Sequence, residues 1–146
     1  MTFLKTLGAW FAGGLAAYIV AALASQSVVL AGLAQLGLDM SFGDVAGSLI
    51  HAVLNMPALL IVILLGFAVA FGVAWVVKRF LPSLSAVAYP VAGATAIGVA
   101  LWLMYLMFGI VPVLGAQVTY GLLLQLAAGA VGGFAFEALR PKAEAV

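Results

Sequence analysis

A long stretch without charge most constrains this chain: residues 80–136 contain no Asp, Glu, Lys or Arg. A water-soluble domain needs solvated charge on its surface, and about 25% of its residues are charged. The whole 146-residue chain is only 6% charged and 68% hydrophobic, with a mean hydropathy of +1.36. We therefore expect an integral membrane protein, of a length that suits one compact bundle.

Four apolar segments are long enough to cross a membrane. A transmembrane helix needs about 20 apolar residues to span about 30 Å of hydrocarbon. Segments of about this length run over residues 7–24, 57–77, 87–108 and 120–138. The sequence predicts an all-α integral membrane fold, with four transmembrane helices packed as a single domain over residues 1–146.

The cations predict how the chain is threaded. Positive residues concentrate in the cytoplasmic connections of membrane proteins. None lies in segment 25–56 or segment 109–119, and all five fall at the other connections or the termini. They are Lys5, Lys78, Arg79, Arg140 and Lys142. We expect both termini on the cytoplasmic side of a bacterial inner (plasma) membrane, with segments 25–56 and 109–119 facing outward.

The N-terminal segment has an alternative interpretation as a cleavable signal peptide. Lys5 precedes an apolar run, and Ala22-Leu23-Ala24 before Ser25 fits a small-residue cleavage site. The apolar run is long for a signal peptide, and we expect it to be retained as the first span.

Segment 25–56 contains two further helical patterns. Residues 28–36 are apolar enough for a short helix. Ser41 followed by Asp44 resembles a capping box, which predicts an amphipathic helix over 42–55 at the interface. The residues of its polar face are spaced three or four apart, which places them on one side of a helix. The members of this face are Asp44, Ser48, His51 and Asn55.

The types of residue on this face invite comparison with a hydrolase. Asp44 and His51 are two turns apart on one straight helix, about 10 Å along its axis, so they cannot form a relay with Ser48. Asp39, Asp44 and His51 remain a candidate set for an enzyme at the outer interface. His51 is the single histidine and cysteine is absent, so we predict no metal and no cofactor.

Two polar residues fall within the last span. Glu137 is its one acidic residue, and the spacing to Arg140 predicts an ion pair between successive helical turns. Gln125 lies nearer the start of the span. Since a buried amide in lipid needs a partner, we expect it to form an interhelical hydrogen bond.

Small residues give the strongest packing signal. Gly129 and Gly133 form a GxxxG pattern, and the first span offers Gly13 and Ala16. Such residues allow helix backbones to approach closely where lipid provides no hydrophobic drive. We predict that these four residues pack helices, and that the first span is the partner of Gly129 and Gly133, with a neighbouring protomer as the second choice.

These observations favour a non-enzymatic accessory or structural subunit, in contact with lipids and with another membrane protein or a second copy. The alternative is a small channel or carrier for a neutral or apolar solute, with the 42–55 helix as an outer lid. An enzyme at the outer interface is a weaker alternative. The net charge of +1, without a basic stripe, predicts no nucleic-acid partner.

Overall fold

A computed structural model describes residues 2–55, 57–84, 86–110 and 118–141, and every regular element in this part of the chain is helical. The helices are α1 (Thr2–Gln35), α2 (Phe42–Asn55), α3 (Pro57–Phe80), α4 (Ala88–Phe108) and α5 (Thr119–Leu139), with a short 3-10 turn at Pro82–Leu84. All but α2 are long and apolar enough to cross a membrane. The predicted fold class is therefore confirmed.

Helix α1 is longer than the predicted first span. The prediction ended that span at residue 24 and placed a separate short helix over 28–36, but α1 runs without a break to Gln35. Ser25, Gln26 and Ser27 are polar, yet none of them breaks a helix. The Ser27 hydroxyl donates a 2.7 Å hydrogen bond to the Leu23 carbonyl within the same helix, so its polarity is satisfied there.

Gly37 ends α1. Its φ of 79° is left-handed, which glycine adopts without steric cost. The Gly37 N–H donates to the Ala34 carbonyl at 3.0 Å, and the Leu38 N–H donates to the Leu33 carbonyl at 3.3 Å. These two bonds are those of a Schellman motif, which turns the chain sharply away from the helix axis.

Helix α2 begins and ends where the sequence predicted. The Asp44 N–H donates to the Ser41 hydroxyl at 3.2 Å, and the Ser41 N–H approaches Asp44 Oδ2 at 3.3 Å. The Ser41 hydroxyl also donates to that carboxylate at 2.8 Å. This reciprocal capping box satisfies backbone donors at the start of the helix, so local sequence alone defines its first turn.

The four spans form a ring in the order α1, α5, α4, α3, with α3 returning to α1. Helices α1 and α5 are antiparallel, because Gly13 meets Gly132 whereas Ala21, further along α1, meets Gln125, which is earlier in α5. Helices α4 and α5 are antiparallel too, because Tyr89 meets Gly133 and Gly93 meets Gly129. The helices therefore share two ends. We call the end with Lys78, Glu137 and Arg140 the charged end, and the opposite one the α2 end.

Aromatic side chains fill the core near the charged end. Phe71 of α3 stacks on Phe136 of α5 with ring centroids 4.4 Å apart, and Tyr89 of α4 meets the Phe136 ring edge-on at 4.9 Å. Phe67 lies 4.7 Å from Phe71 and is fully buried. These contacts join three spans in one cluster. Most of the predicted 109–119 connection, and Lys142, lie outside the described residues.

Candidate functional site

The polar face of α2 does not bring Asp44 and His51 together. Asp44 is held by Ser41 in the capping box. His51 pairs one turn away with Asn55, whose Nδ2 lies 3.1 Å from His51 Nδ1 and donates to the His51 carbonyl at 3.0 Å. Ser48 lies between these two pairs and is half-buried. Each hydrogen bond therefore serves the helix itself, at its start or along its last turns.

The other residues proposed for outer-interface chemistry are also spread out. Asp39 is exposed in the turn before α2, and His51 and Asn55 are exposed on it. Within the described ranges, no three His, Cys, Asp or Glu side chains are grouped so that they could hold a metal ion.

The opposite side of α2 is attached to α1. The Tyr18 hydroxyl donates a hydrogen bond to the Val53 carbonyl. Ala52 is buried and Val53 packs against the core. Because Tyr18 lies near the middle of α1, the end of α2 is tied to the body of the bundle and its polar face is left outward. Sequence reasoning did not anticipate this contact.

Gly129 and Gly133 lie against α4, not against the first span as we expected. A Cβ on Gly129 would collide with the backbone of Gly93, and a Cβ on Gly133 would collide with the backbone of Tyr89. Gly93 in turn faces the Gly129 carbonyl, so this contact is closed by glycine on both helices. The sequence did not single out Gly93 as their partner.

A different glycine of α5 faces α1. A Cβ added to Gly13 would lie 2.8 Å from the Gly132 carbonyl oxygen and 3.1 Å from Phe136 Cβ. Gly132 faces the Gly13 carbonyl and the Ala17 side chain from the other side. Ala16 is half-buried beside them. Helix α5 thus presents small residues on two faces and packs closely against two neighbours.

Gln125 makes the interhelical bond expected of a buried amide. Its side chain is 1% exposed, and Nε2 donates to the Ala21 carbonyl of α1 at 3.0 Å. It also lines an interior cavity of about 10 Å³ between α3, α4 and α5, room for about one water molecule. That cavity is far too small to hold an apolar solute.

The charged end gathers four side chains from three helices. Glu137 Oε2 lies 3.0 Å from Arg140 Nε, the ion pair predicted from their spacing. Glu137 Oε1 accepts a hydrogen bond of 3.0 Å from Lys78 Nζ of α3, a contact that sequence reasoning missed. The Arg140 Nη1 atom donates to the Tyr89 hydroxyl at 3.0 Å. We call Lys78, Tyr89, Glu137 and Arg140 the charged cluster.

Tyr89 is the centre of the charged cluster. The Lys78 ammonium lies 4.7 Å from its ring centroid and the Arg140 guanidinium 4.9 Å, both within the range of cation–π attraction. Its ring is buried and packs against Phe71 and Phe136. The Tyr89 ring, packed against Phe71 and Phe136, therefore covers one side of the two cations with apolar surface.

An apolar groove runs between α3 and α4 on the outside of the bundle, with a volume of about 900 Å³. Its floor consists of small residues spaced four apart, which are buried or half-buried. Helix α3 contributes Gly66, Ala70 and Ala74, and α4 contributes Ala88, Ala92, Ala96 and Ala100. Exposed branched residues such as Val69, Val73, Val91 and Val99 form the rims. We call this surface the α3/α4 groove.

The α3/α4 groove is almost free of polar groups and runs the height of the spans. It extends from Val62 to Val77 on α3 and from Val87 to Phe108 on α4, about 23 and 32 Å at 1.5 Å per residue. The hydroxyl of Thr95, on the rim, donates a hydrogen bond to the Val91 carbonyl of its own helix. The surface suits an apolar rod of membrane-spanning length.

The chain matches no family model, no curated protein and no solved structure. The geometry of the charged cluster and of the α3/α4 groove therefore carries the functional argument.

Proposed function

We propose that this chain is a non-enzymatic accessory or structural subunit, which binds a transmembrane helix of a different membrane protein in the α3/α4 groove. The groove itself is the observation that carries the proposal. Small residues spaced four apart let a helix backbone approach closely, and van der Waals packing of this kind drives association between helices in lipid.

The length of the groove favours a helix over a lipid tail. A lipid chain occupies one leaflet, about half of the roughly 30 Å hydrocarbon layer. The groove continues along α4 from Val87 to Phe108, which corresponds to both leaflets. A transmembrane helix fills such a groove with one continuous ridge.

The concave shape favours a partner of different sequence over a second copy. A two-fold dimer pairs one surface with itself. Two grooves placed face to face would meet at their valine rims and leave the space above Ala70 and Ala92 unfilled. A single helix from another chain fills that space.

The test is photo-cross-linking in the native membrane. A photoreactive amino acid replaces Val73 or Val91 on the rims, and Phe134 on the lipid-exposed side of α5 serves as the control position. We expect one discrete protein adduct from each rim position and none from Phe134. The mass added to this 14.9 kDa chain is the mass of the partner.

Filling the groove provides a second arm. Ala92→Phe should abolish the adduct at Val73 and leave the fold intact, whereas Val131→Phe on the exposed face of α5 should leave the adduct unchanged. An adduct of twice the chain mass would assign the groove to a second copy. Cross-links to lipid alone would refute the subunit hypothesis and favour the carrier of an apolar solute.

A further inference from the structure

We propose that the charged cluster is a binding site for a phosphate-type anion, held by Lys78 and Arg140 at the charged end of the bundle. The inference is independent of the α3/α4 groove, because it rests on different residues. It rests on one positive charge that no carboxylate in the described part of the protein neutralises.

The charge count leaves one positive charge in excess. Lys78 and Arg140 share one carboxylate, Glu137, and Tyr89 contributes a neutral ring and hydroxyl. Of the other acidic residues, Asp39 and Asp44 lie near α2 at the opposite end, and Glu144 lies outside the described residues. Within the described ranges, no second carboxylate forms an ion pair with either cation, so two positive charges face one negative charge.

The two cations of the charged cluster are largely shielded from water by the protein. The side chain of Lys78 is 13% exposed and that of Arg140 is 25% exposed. Phe71 and Phe136 cover the inner side of Tyr89. Coulomb attraction strengthens as water is excluded, so an anion at the open side of this cluster would be held more firmly than one at an exposed lysine.

The donors of Arg140 are only partly used. Nη1 donates to the Tyr89 hydroxyl. Nε is 3.0 Å from Glu137 Oε2, but the pair lacks hydrogen-bond alignment, and within the described structure both atoms are buried without a hydrogen bond. Guanidinium donors form a fork that matches two oxygens of a phosphate. Tyr89 holds this fork in place from one side.

Position in the membrane indicates where the anion comes from. The cluster lies where α3 and α5 end and α4 begins, at the boundary between apolar spans and polar connections. Phospholipid phosphates occupy this boundary, and basic pockets between transmembrane helices bind anionic headgroups. Free phosphate from the adjoining water offers the same chemistry.

The experiment measures the thermal unfolding of the purified protein in a neutral detergent. The detergent solution is titrated separately with phosphatidylglycerol, with phosphatidylcholine of the same acyl chains, and with inorganic phosphate. A ligand that binds only the native state stabilises it by RT ln(1 + [L]/Kd), so the rise of the unfolding temperature with ligand concentration gives the Kd. We expect saturable binding of phosphatidylglycerol at least about ten-fold tighter than phosphatidylcholine, the weight of one charge-assisted hydrogen bond.

Matched substitutions separate the cluster from general surface charge. Arg140→Gln and Lys78→Gln should each weaken phosphatidylglycerol binding by about ten-fold, whereas Arg79→Gln, the exposed neighbour of Lys78, should leave it unchanged. Glu137→Gln should tighten binding, because it removes the competing carboxylate. Arg140→Lys keeps the charge but not the guanidinium fork, and we expect it to bind phosphatidylglycerol with intermediate strength. This variant replaces Arg140→Gln in the test if Arg140→Gln does not fold.

The remaining outcomes are equally decisive. Competition by inorganic phosphate would support the site and identify its ligand as soluble, whereas binding of the lipid without such competition would identify the headgroup. Equal loss in Arg79→Gln and Arg140→Gln would overturn the proposal, since it would show unspecific attraction. A gain in Glu144→Gln as large as that in Glu137→Gln would also overturn the proposal, because the Glu144 carboxylate would then already neutralise the cluster.

Discussion

Gly93 of α4 and Gly129 of α5 approach so closely that a Cβ on either residue would collide with the carbonyl group of the other. Each glycine is thus required by the backbone of its partner rather than by its own conformation. Four residues along α5, Gly133 repeats the arrangement against Tyr89. This line of contact brings Tyr89 next to α5, where its ring meets Lys78 and Arg140.

Gly129→Ala should destabilise the bundle by about 1–3 kcal/mol, the usual cost of forcing an added methyl group into a packed contact. The control is Gly72→Ala, because a Cβ there meets nothing within 4 Å. Unfolding in detergent with increasing denaturing surfactant measures both variants. Equal stability of the two would show that α4 and α5 are further apart than described.

Gln125→Leu should lower stability by about 0.6 kcal/mol, a typical value for an interhelical hydrogen bond in a membrane protein. The amide is buried and donates to the Ala21 carbonyl across the α1–α5 contact. Thr95→Val is the control, since that hydroxyl bonds only within its own helix. The same unfolding assay applies, and a loss no greater than that of the control would contradict the prediction.

Tyr18→Phe should loosen α2 without unfolding the spans. The hydroxyl that bonds the Val53 carbonyl is removed while the ring is kept. We expect faster amide hydrogen exchange over residues 42–55 and unchanged exchange in α5. Tyr105→Phe, at an exposed position of α4, should alter neither. Unchanged exchange in α2 would mean that Ala52 and Val53 hold the helix by packing alone.

Cysteine labelling tests the orientation. The chain has no native cysteine, so Asp39→Cys in the turn before α2 and Ser83→Cys at the opposite end each introduce one site. The cation bias predicts that an impermeant reagent added outside labels Asp39→Cys and not Ser83→Cys. The reverse pattern would invert the proposed topology, and labelling of both would indicate two orientations.

Sequence reasoning succeeded where the relevant partners are near in the chain. Ser41 and Asp44 defined the start of α2, and the spacing of Glu137 and Arg140 predicted their ion pair. It could not find Lys78 as the second partner of Glu137, because the two lie 59 positions apart in the chain and nothing local marks the pair. The cations of α3 looked like topological markers alone.

The prediction that Gly129 packs against the first span was wrong for a related reason. Helix α5 has glycine on two faces, at Gly129 and Gly133 on one and at Gly132 on the other. Composition shows that close contacts will form, but it does not say which neighbour takes which face. The end of α1 was misplaced because polar Ser25 and Ser27 resembled a boundary, although only Gly37 supplies a conformation that stops the helix.

The 34 residues of α1 measure about 51 Å, against about 30 Å of hydrocarbon. Tilting alone would require roughly 54°, which exceeds the range of about 0–40° seen for transmembrane helices. Part of α1 must therefore lie outside the acyl chains, and because Lys5 occupies only the first turn, its last turns extend into the headgroup layer at the α2 end. The thickness of the surrounding bilayer then sets how far Asp44, at the start of α2, lies from the acyl chains, so the exposure of that end of the α2 polar face depends on lipid length.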